Sequence, residues 1–210
     1  MIRTLLSAGA LALALGIASG EAEATTLSTL SVDQMTDASD LVVRGTITEI
    51  WTDKDSNGYI WTRAQLNVTD SLKGDAGDQL VISQLGGQYM NDAAWIEGAA
   101  RFSIGEEGLF FLTTNKDGTR LSPVGMWQGK YTVRIDPDSG KEIGVRFVLS
   151  QDSWYDHRFL PHPDAAQRTY IDELSAQVTE RVELGWDGQP IPGASPEKLR
   201  AINNLQPGVE

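Results

Sequence analysis

The run with the most evident chemistry in the sequence is Asp53-Lys54-Asp55-Ser56-Asn57-Gly58-Tyr59-Ile60. Asp53, Asp55 and Asn57 would supply hard oxygens at the first, third and fifth positions of an EF-hand loop. Gly58 would make the sharp turn, Tyr59 would offer its backbone carbonyl, and Ile60 takes the apolar position. The twelfth position is Ala64, so the bidentate carboxylate is missing, and both flanks read as strands. Two readings stand: a weak calcium site on Asp53, Asp55, Asn57 and Tyr59, or a hairpin tip that uses Asp, Ser, Asn and Gly for their turn geometry. Neither makes a cofactor a requirement.

Other reactive groups are sparse. The two His of the chain lie in Asp156-His157-Arg158-Phe159-Leu160-Pro161-His162-Pro163-Asp164, a Pro-rich spacing that suits a linker better than a helical zinc site. There is no Cys, which removes thiolate ligands, disulfides and a Cys nucleophile. No Gly-x-Ser-x-Gly or His-Glu-x-x-His occurs. Glu106 and Glu107 are neighbours on a strand and point to opposite faces, so they cannot share one proton transfer. Gly86-Gly87 lacks the Lys and following helix of a phosphate loop. No catalytic residue is singled out, and a hydrolase with an unrecognised site stays only as an alternative.

The elements that would position these groups belong to a chain of 210 residues, 40% apolar, with 17 Lys and Arg against 29 Asp and Glu. A net charge of -12 repels phosphate backbones, so nucleic acid is not an expected partner. Arg3 heads a short positive region, Leu5 to Ala18 is apolar and uncharged, and Ala22-Glu23-Ala24 has the small-x-small pattern read by a signal peptidase. That apolar run, about 14 residues, is too short to span roughly 30 Å of hydrocarbon. Cleavage after Ala24 is expected, giving a chain that starts at Thr25, keeps no membrane span, and is periplasmic or extracellular.

After a polar lead-in from Thr25 to Ser39 the chain reads as short strands. Leu41 to Trp51 is β-branched with its first half buried. In Ile60 to Thr69 apolar and polar residues alternate with period two. Gln79 to Gln84, Gly108 to Thr114, Leu121 to Val124, Lys130 to Asp136 and Ile143 to Leu149 follow, joined by Asx, Pro and Gly turns such as Asn115-Lys116-Asp117-Gly118. Beyond Pro161-His162-Pro163, the spacing of Gln167, Ile171, Leu174, Val178 and Val182 predicts a helix from about Asp164 to Glu183, ended by Gly185. Ser195-Pro196-Glu197 predicts the start of a second. Gly86 to Gly105 fits no element. Its aromatics either close one end of a barrel, or it is a binding loop with Tyr89, Met90 and Trp95 as anchors.

Ser39-Asp40-Leu41-Val42-Val43-Arg44-Gly45, a polar hairpin, a strand and then Leu72-Lys73-Gly74 follow in order. This order resembles the start of netrin-like domains, among them the tissue inhibitors of metalloproteinases. Gly86-Gly87, Gly105-Glu106-Glu107 with Phe110-Phe111-Leu112, and Gly125-x-x-Gln128-Gly129-Lys130 also look like a group of exported bacterial proteins. The resemblance covers about Ser39 to Val133 and implies a five-stranded OB-type barrel flanked by helices. In the metalloproteinase inhibitors a disulfide-locked N-terminal Cys presents its amine and carbonyl to the protease zinc. The resemblance thus implies an inhibitor acting through Thr25 and Thr26, which no Cys would pin.

The expected organisation is a signal peptide over 1–24, a mainly β, OB-type antiparallel barrel with added hairpin strands over 25–150, and an extension of one or two helices packed on the barrel over 151–210. The expected function is a non-catalytic exported module that recognises a protein or polysaccharide through barrel loops, with metalloprotease inhibition as the alternative.

Overall fold

The computed structural model describes residues 29–147 and 166–189. Along the chain run α1 (Val32–Ala38), β1 (Leu41–Lys54), β2 (Ile60–Lys73), β3 (Gln79–Leu85), β4 (Gly87–Tyr89), β5 (Asp92–Ala94), β6 (Glu107–Thr114), β7 (Leu121–Pro123), a 3₁₀ turn (Met126–Gly129), β8 (Lys130–Ile135), β9 (Glu142–Phe147), β10 (Ala166–Tyr170) and α2 (Ile171–Leu184). The expected signal peptide, Thr25, Thr26, both His and the helix expected after Ser195 lie outside the described residues. Among the described residues no helix is long and apolar enough to cross a membrane.

The fold is mainly β. Eight strands form one sheet in the order β1-β2-β3-β7-β6-β8-β9-β10, and β1 also pairs with β6. β1, β2, β3, β7 and β6 therefore close a ring of five strands. Its pairings are antiparallel except where Ile82 of β3 meets Leu121 of β7 in parallel. β1 can serve two neighbours because its register slips at Val42/Val43, Arg44/Gly45 and Ile47/Glu49, which bends the strand. Gly45 sits at one slip: a Cβ there would lie 2.3 Å from the Asn67 carbonyl oxygen.

The period-two alternation of β1 and β6 separates two cores. Val43, Ile47, Phe110 and Leu112 point into the ring with Ala64, Leu66, Leu80 and Ile82. Val42, Leu109 and Phe111 point outward and meet Tyr131, Val133, Met35, Ile171, Leu174 and Val178. The central strands are thus apolar on both faces, which explains the unbroken run Leu109-Phe110-Phe111-Leu112.

The outer core is covered by two helices. The polar lead-in expected up to Ser39 contains α1: Ser31 and Gln34 form a reciprocal capping box, with the Gln34 N–H donating to Ser31 Oγ (3.1 Å) and the Ser31 N–H to Gln34 Oε1 (3.0 Å). At its other end Lys73 Nζ donates to the carbonyls of Thr36 (2.7 Å) and Ser39 (2.8 Å). The helix expected from Asp164 is also corrected. Ala166–Tyr170 is a strand paired with β9 from Ala166↔Phe147 to Tyr170↔Ile143, and the helix begins only at Ile171. The free edge of β9 gives Gln-Arg-Thr-Tyr a ladder of backbone bonds that the local helical spacing did not reveal. α2 ends at Gly185 as its periodicity predicts, and Arg181 forks onto Asp37 of α1, with Nη2 to Oδ2 at 2.6 Å and Nε to Oδ1 at 3.0 Å.

Candidate binding surface

β1 and β2 form a long hairpin ribbon, flanked by β3 along β2 as far as Trp61↔Leu85, and its tip is the acidic run that opened the sequence. Asp55 organises that tip. Its Oδ1 accepts from the N–H groups of Asn57 (2.9 Å) and Tyr59 (3.0 Å), and its Oδ2 accepts from the Trp61 indole N–H (3.0 Å). The indole, followed by the two backbone donors and Arg120, holds the Asp55 carboxyl below its ordinary pKa. The Tyr59 carbonyl, a would-be calcium ligand, accepts from the Asp55 N–H (2.9 Å). Asp53 turns onto Arg63, with Nε to Oδ2 at 2.8 Å and Nη2 to Oδ1 at 3.1 Å, and Arg63 also donates to Ser83 Oγ (2.6 Å). Trp61 has the Arg120 guanidinium 4.5 Å and that of Arg63 5.5 Å from its ring centroid.

The Asp53 and Asp55 carboxylates and the Tyr59 carbonyl therefore face separate internal donors. Among the described residues no group of three or more His, Asp or Glu is placed to hold a metal ion. The arrangement is an Asx-stabilised hairpin tip.

A second hairpin lies against this ribbon. Gly86 to Gly105 is not a single loop: β4 and β5 pair from Gly87↔Ala94 to Tyr89↔Asp92 around the two-residue turn Met90-Asn91. Four contacts clasp it to the ribbon. The Gly86 N–H donates to the Ile60 carbonyl (2.8 Å), Thr62 Oγ1 to the Gly86 carbonyl (2.7 Å), Thr52 Oγ1 to the Gln88 carbonyl (2.7 Å), and Lys54 Nζ to Asp92 Oδ2 (2.8 Å). Lys54 keeps the Asp92 carboxyl below its usual range. Gly87 has φ +135°, and a Cβ on it would stand 2.6 Å from Thr62 Oγ1, so the close approach requires glycine. The rest of the segment closes the ring: Ala100 is buried with its N–H on Gln84 Oε1, and the Phe102 ring lies 6.5 Å from that of Phe110. The second half of the segment is thus packed against the ring, and the first half is a hairpin.

The two tips lie side by side and expose what they carry. Met90 is 79% exposed, Trp95 76% and Tyr59 58%, while Tyr89 is half-buried. Met90 also has φ +53°, a left-handed conformation that costs a residue with a side chain about 1–2 kcal/mol. Neither packing nor backbone preference asks for methionine there. Of the residues singled out in the sequence, Asp53, Asp55, Asn57 and Tyr59 belong to the first tip, Tyr89 and Met90 to the second, and Trp95 lies just past the base of the second hairpin. Lys54, Arg120 and the Thr52–Thr62 clasp escaped notice because their partners are far away in sequence.

Glu106, which precedes β6, and Glu107, its first residue, take different partners. Glu106 accepts from Lys130 (2.6 Å) and from the Ser103 N–H (3.0 Å), while Glu107 and Glu142 both pair with Arg44. Compared with known proteins, the chain matches no family model and no curated sequence.

Proposed function

We propose that this chain is an exported, non-catalytic binding module of OB-type, netrin-like architecture that engages a partner protein through its paired hairpin tips. The closed five-stranded ring with a helix at its flank supports the OB-type reading. The observation that carries the function is Met90: an exposed thioether held at positive φ, at the tip of a hairpin clasped to the β1–β2 hairpin, with an exposed Trp95 just past the base of the same hairpin. Strain kept at an exposed tip, with no packing in return, points to recognition. Rigid, exposed aromatic and Met side chains are typical anchors of protein interfaces. A protein partner fits better than a polysaccharide, because the tip carboxylates that would take sugar hydroxyls are occupied by Arg63, Trp61 and Lys54.

The test is affinity capture from the native envelope and culture fluid with wild type and Met90→Ser/Trp95→Ser as baits. Wild type is expected to retain a protein that the variant does not, with both baits melting at the same temperature. Equal capture by the two, or retention of a polysaccharide instead, overturns the proposal.

A further inference from the structure

The chain contains no Cys, so its sulfur chemistry rests on four methionines. Met1 lies outside the described residues, and the other three stand in graded surroundings. Met35 of α1 is fully buried in the outer core, where its thioether accepts from Arg146 Nη1 (3.3 Å). Met126 is half-buried at the head of the 3₁₀ turn. Met90, at the tip of the β4–β5 hairpin, is 79% exposed.

An oxidant must reach the sulfur to act on it, and it turns a flexible apolar side chain into a polar, chiral one. In a core that change forces a new oxygen among apolar neighbours, so at Met35 oxidation would be damage. At Met90 it would not. The four contacts that clasp its hairpin to the ribbon run through Gly86, Gln88 and Asp92, and none of them uses the Met90 side chain. The most accessible of the three sulfurs is therefore the one on which the fold depends least.

We infer that Met90 is a site of reversible oxidation by peroxides, and that its sulfoxide weakens recognition at the hairpin tip while leaving the fold intact. The second half of this inference rests on the recognition role proposed above. In the forward step the Met90 sulfur attacks one peroxide oxygen. The S–O bond forms as the O–O bond breaks, the departing oxygen leaves as water, and the two electrons lost by sulfur reduce the peroxide. In the return step a thiol reductant, acting through methionine sulfoxide reductases, takes the oxygen off as water and becomes a disulfide. A partner that packs apolar surface on the thioether would meet a polar oxygen instead, and would have to desolvate it.

The experiment treats the protein with a graded series of hydrogen peroxide and maps methionine sulfoxide by peptide mass spectrometry. Met90 is expected to oxidise roughly tenfold or more faster than Met35, with Met126 between them. Protein oxidised at Met90 alone should keep the Tm of untreated protein. Oxidation of Met35 or Met126 as fast as Met90, or a fall in Tm at the first sulfoxide, overturns the inference. The protein that the untreated bait retains from the native envelope should bind the oxidised bait at least roughly fivefold more weakly, and treatment with both sulfoxide reductases and dithiothreitol should restore it. Met126→Leu should respond as wild type does, which assigns the loss to Met90. Equal retention before and after oxidation overturns the loss of recognition and leaves the recognition role standing. An untreated bait that retains no protein overturns that role and the loss with it, while the sulfoxide map still decides the modification site.

Discussion

Replacing Met90 by Gly separates the stability of the hairpin tip from its recognition. The substitution releases about 1–2 kcal/mol of left-handed strain. Against this, the loss of a side chain that is 79% exposed forfeits about a fifth of a full burial energy, roughly 0.3–0.6 kcal/mol. Glycine also adds about 0.5–1 kcal/mol of unfolded-state entropy. The sum lies between about -0.6 and +1.2 kcal/mol in favour of the variant, so calorimetry should find Tm shifted by no more than about -2 to +5 °C. Binding should move the other way: if Met90 anchors the partner, its removal costs at least about 1 kcal/mol, roughly fivefold in Kd, measurable against the captured partner. Met90→Ala keeps the positive φ without the thioether and should lose binding with no gain in Tm. A fall in Tm of more than about 4 °C for Met90→Gly would mean that the side chain packs, and an unchanged Kd would mean that the strain at this tip is unconnected to recognition.

Arg181→Met leaves Asp37, 9% exposed, unpaired between the helices, and should cost about 3–5 kcal/mol in denaturant unfolding; Asp37→Leu/Arg181→Met should recover most of it, and a mild single variant would show that the fork is not needed to join α1 to α2. Because hydrogen bonds from Trp61, Tyr59 and Asn57 lower the Asp55 carboxyl, its stabilisation is complete above the ordinary value of 3.8 and is lost as pH falls through the depressed one. The urea midpoint of wild type should therefore drop more steeply than that of Asp55→Asn between about pH 5 and pH 2, and parallel curves would refute the role of the carboxylate. Calcium at 10 mM should leave Tm unchanged, because binding would have to detach Asp53 from Arg63, whereas a rise would restore the calcium reading.

Strands and turns were legible in the sequence because their signals are local. The alternation from Ile60 to Val68 and the Asn115-to-Gly118 turn each encode their own geometry. α1 was read as part of a polar lead-in, because seven residues are too few for a helical period to stand out and its one local signal is the Ser31–Gln34 capping box. β10 was hidden for a different reason: its strand state depends on β9, which ends nineteen residues earlier, while its residues continue the apolar spacing of α2. At the tip, Asp53, Asp55 and Asn57 were read as one set of oxygens, but the cations and donors that divide them, Arg63 and Trp61, sit on the facing strand.

The motifs that carry the family resemblance have structural work that accounts for them. Lys73 caps α1, Gln128 holds Leu30, Lys130 pairs with Glu106, and the apolar run Phe110-Phe111-Leu112 faces two cores at once. Residues so occupied make a fold recognisable and say little about a ligand. The free chemistry lies where these constraints stop, at tips anchored by a few side-chain bonds to the ribbon. Tyr59, Met90 and Trp95 are exposed and belong to neither core, so on the binding role proposed for this surface its specificity would vary while the ring that supports it stays the same.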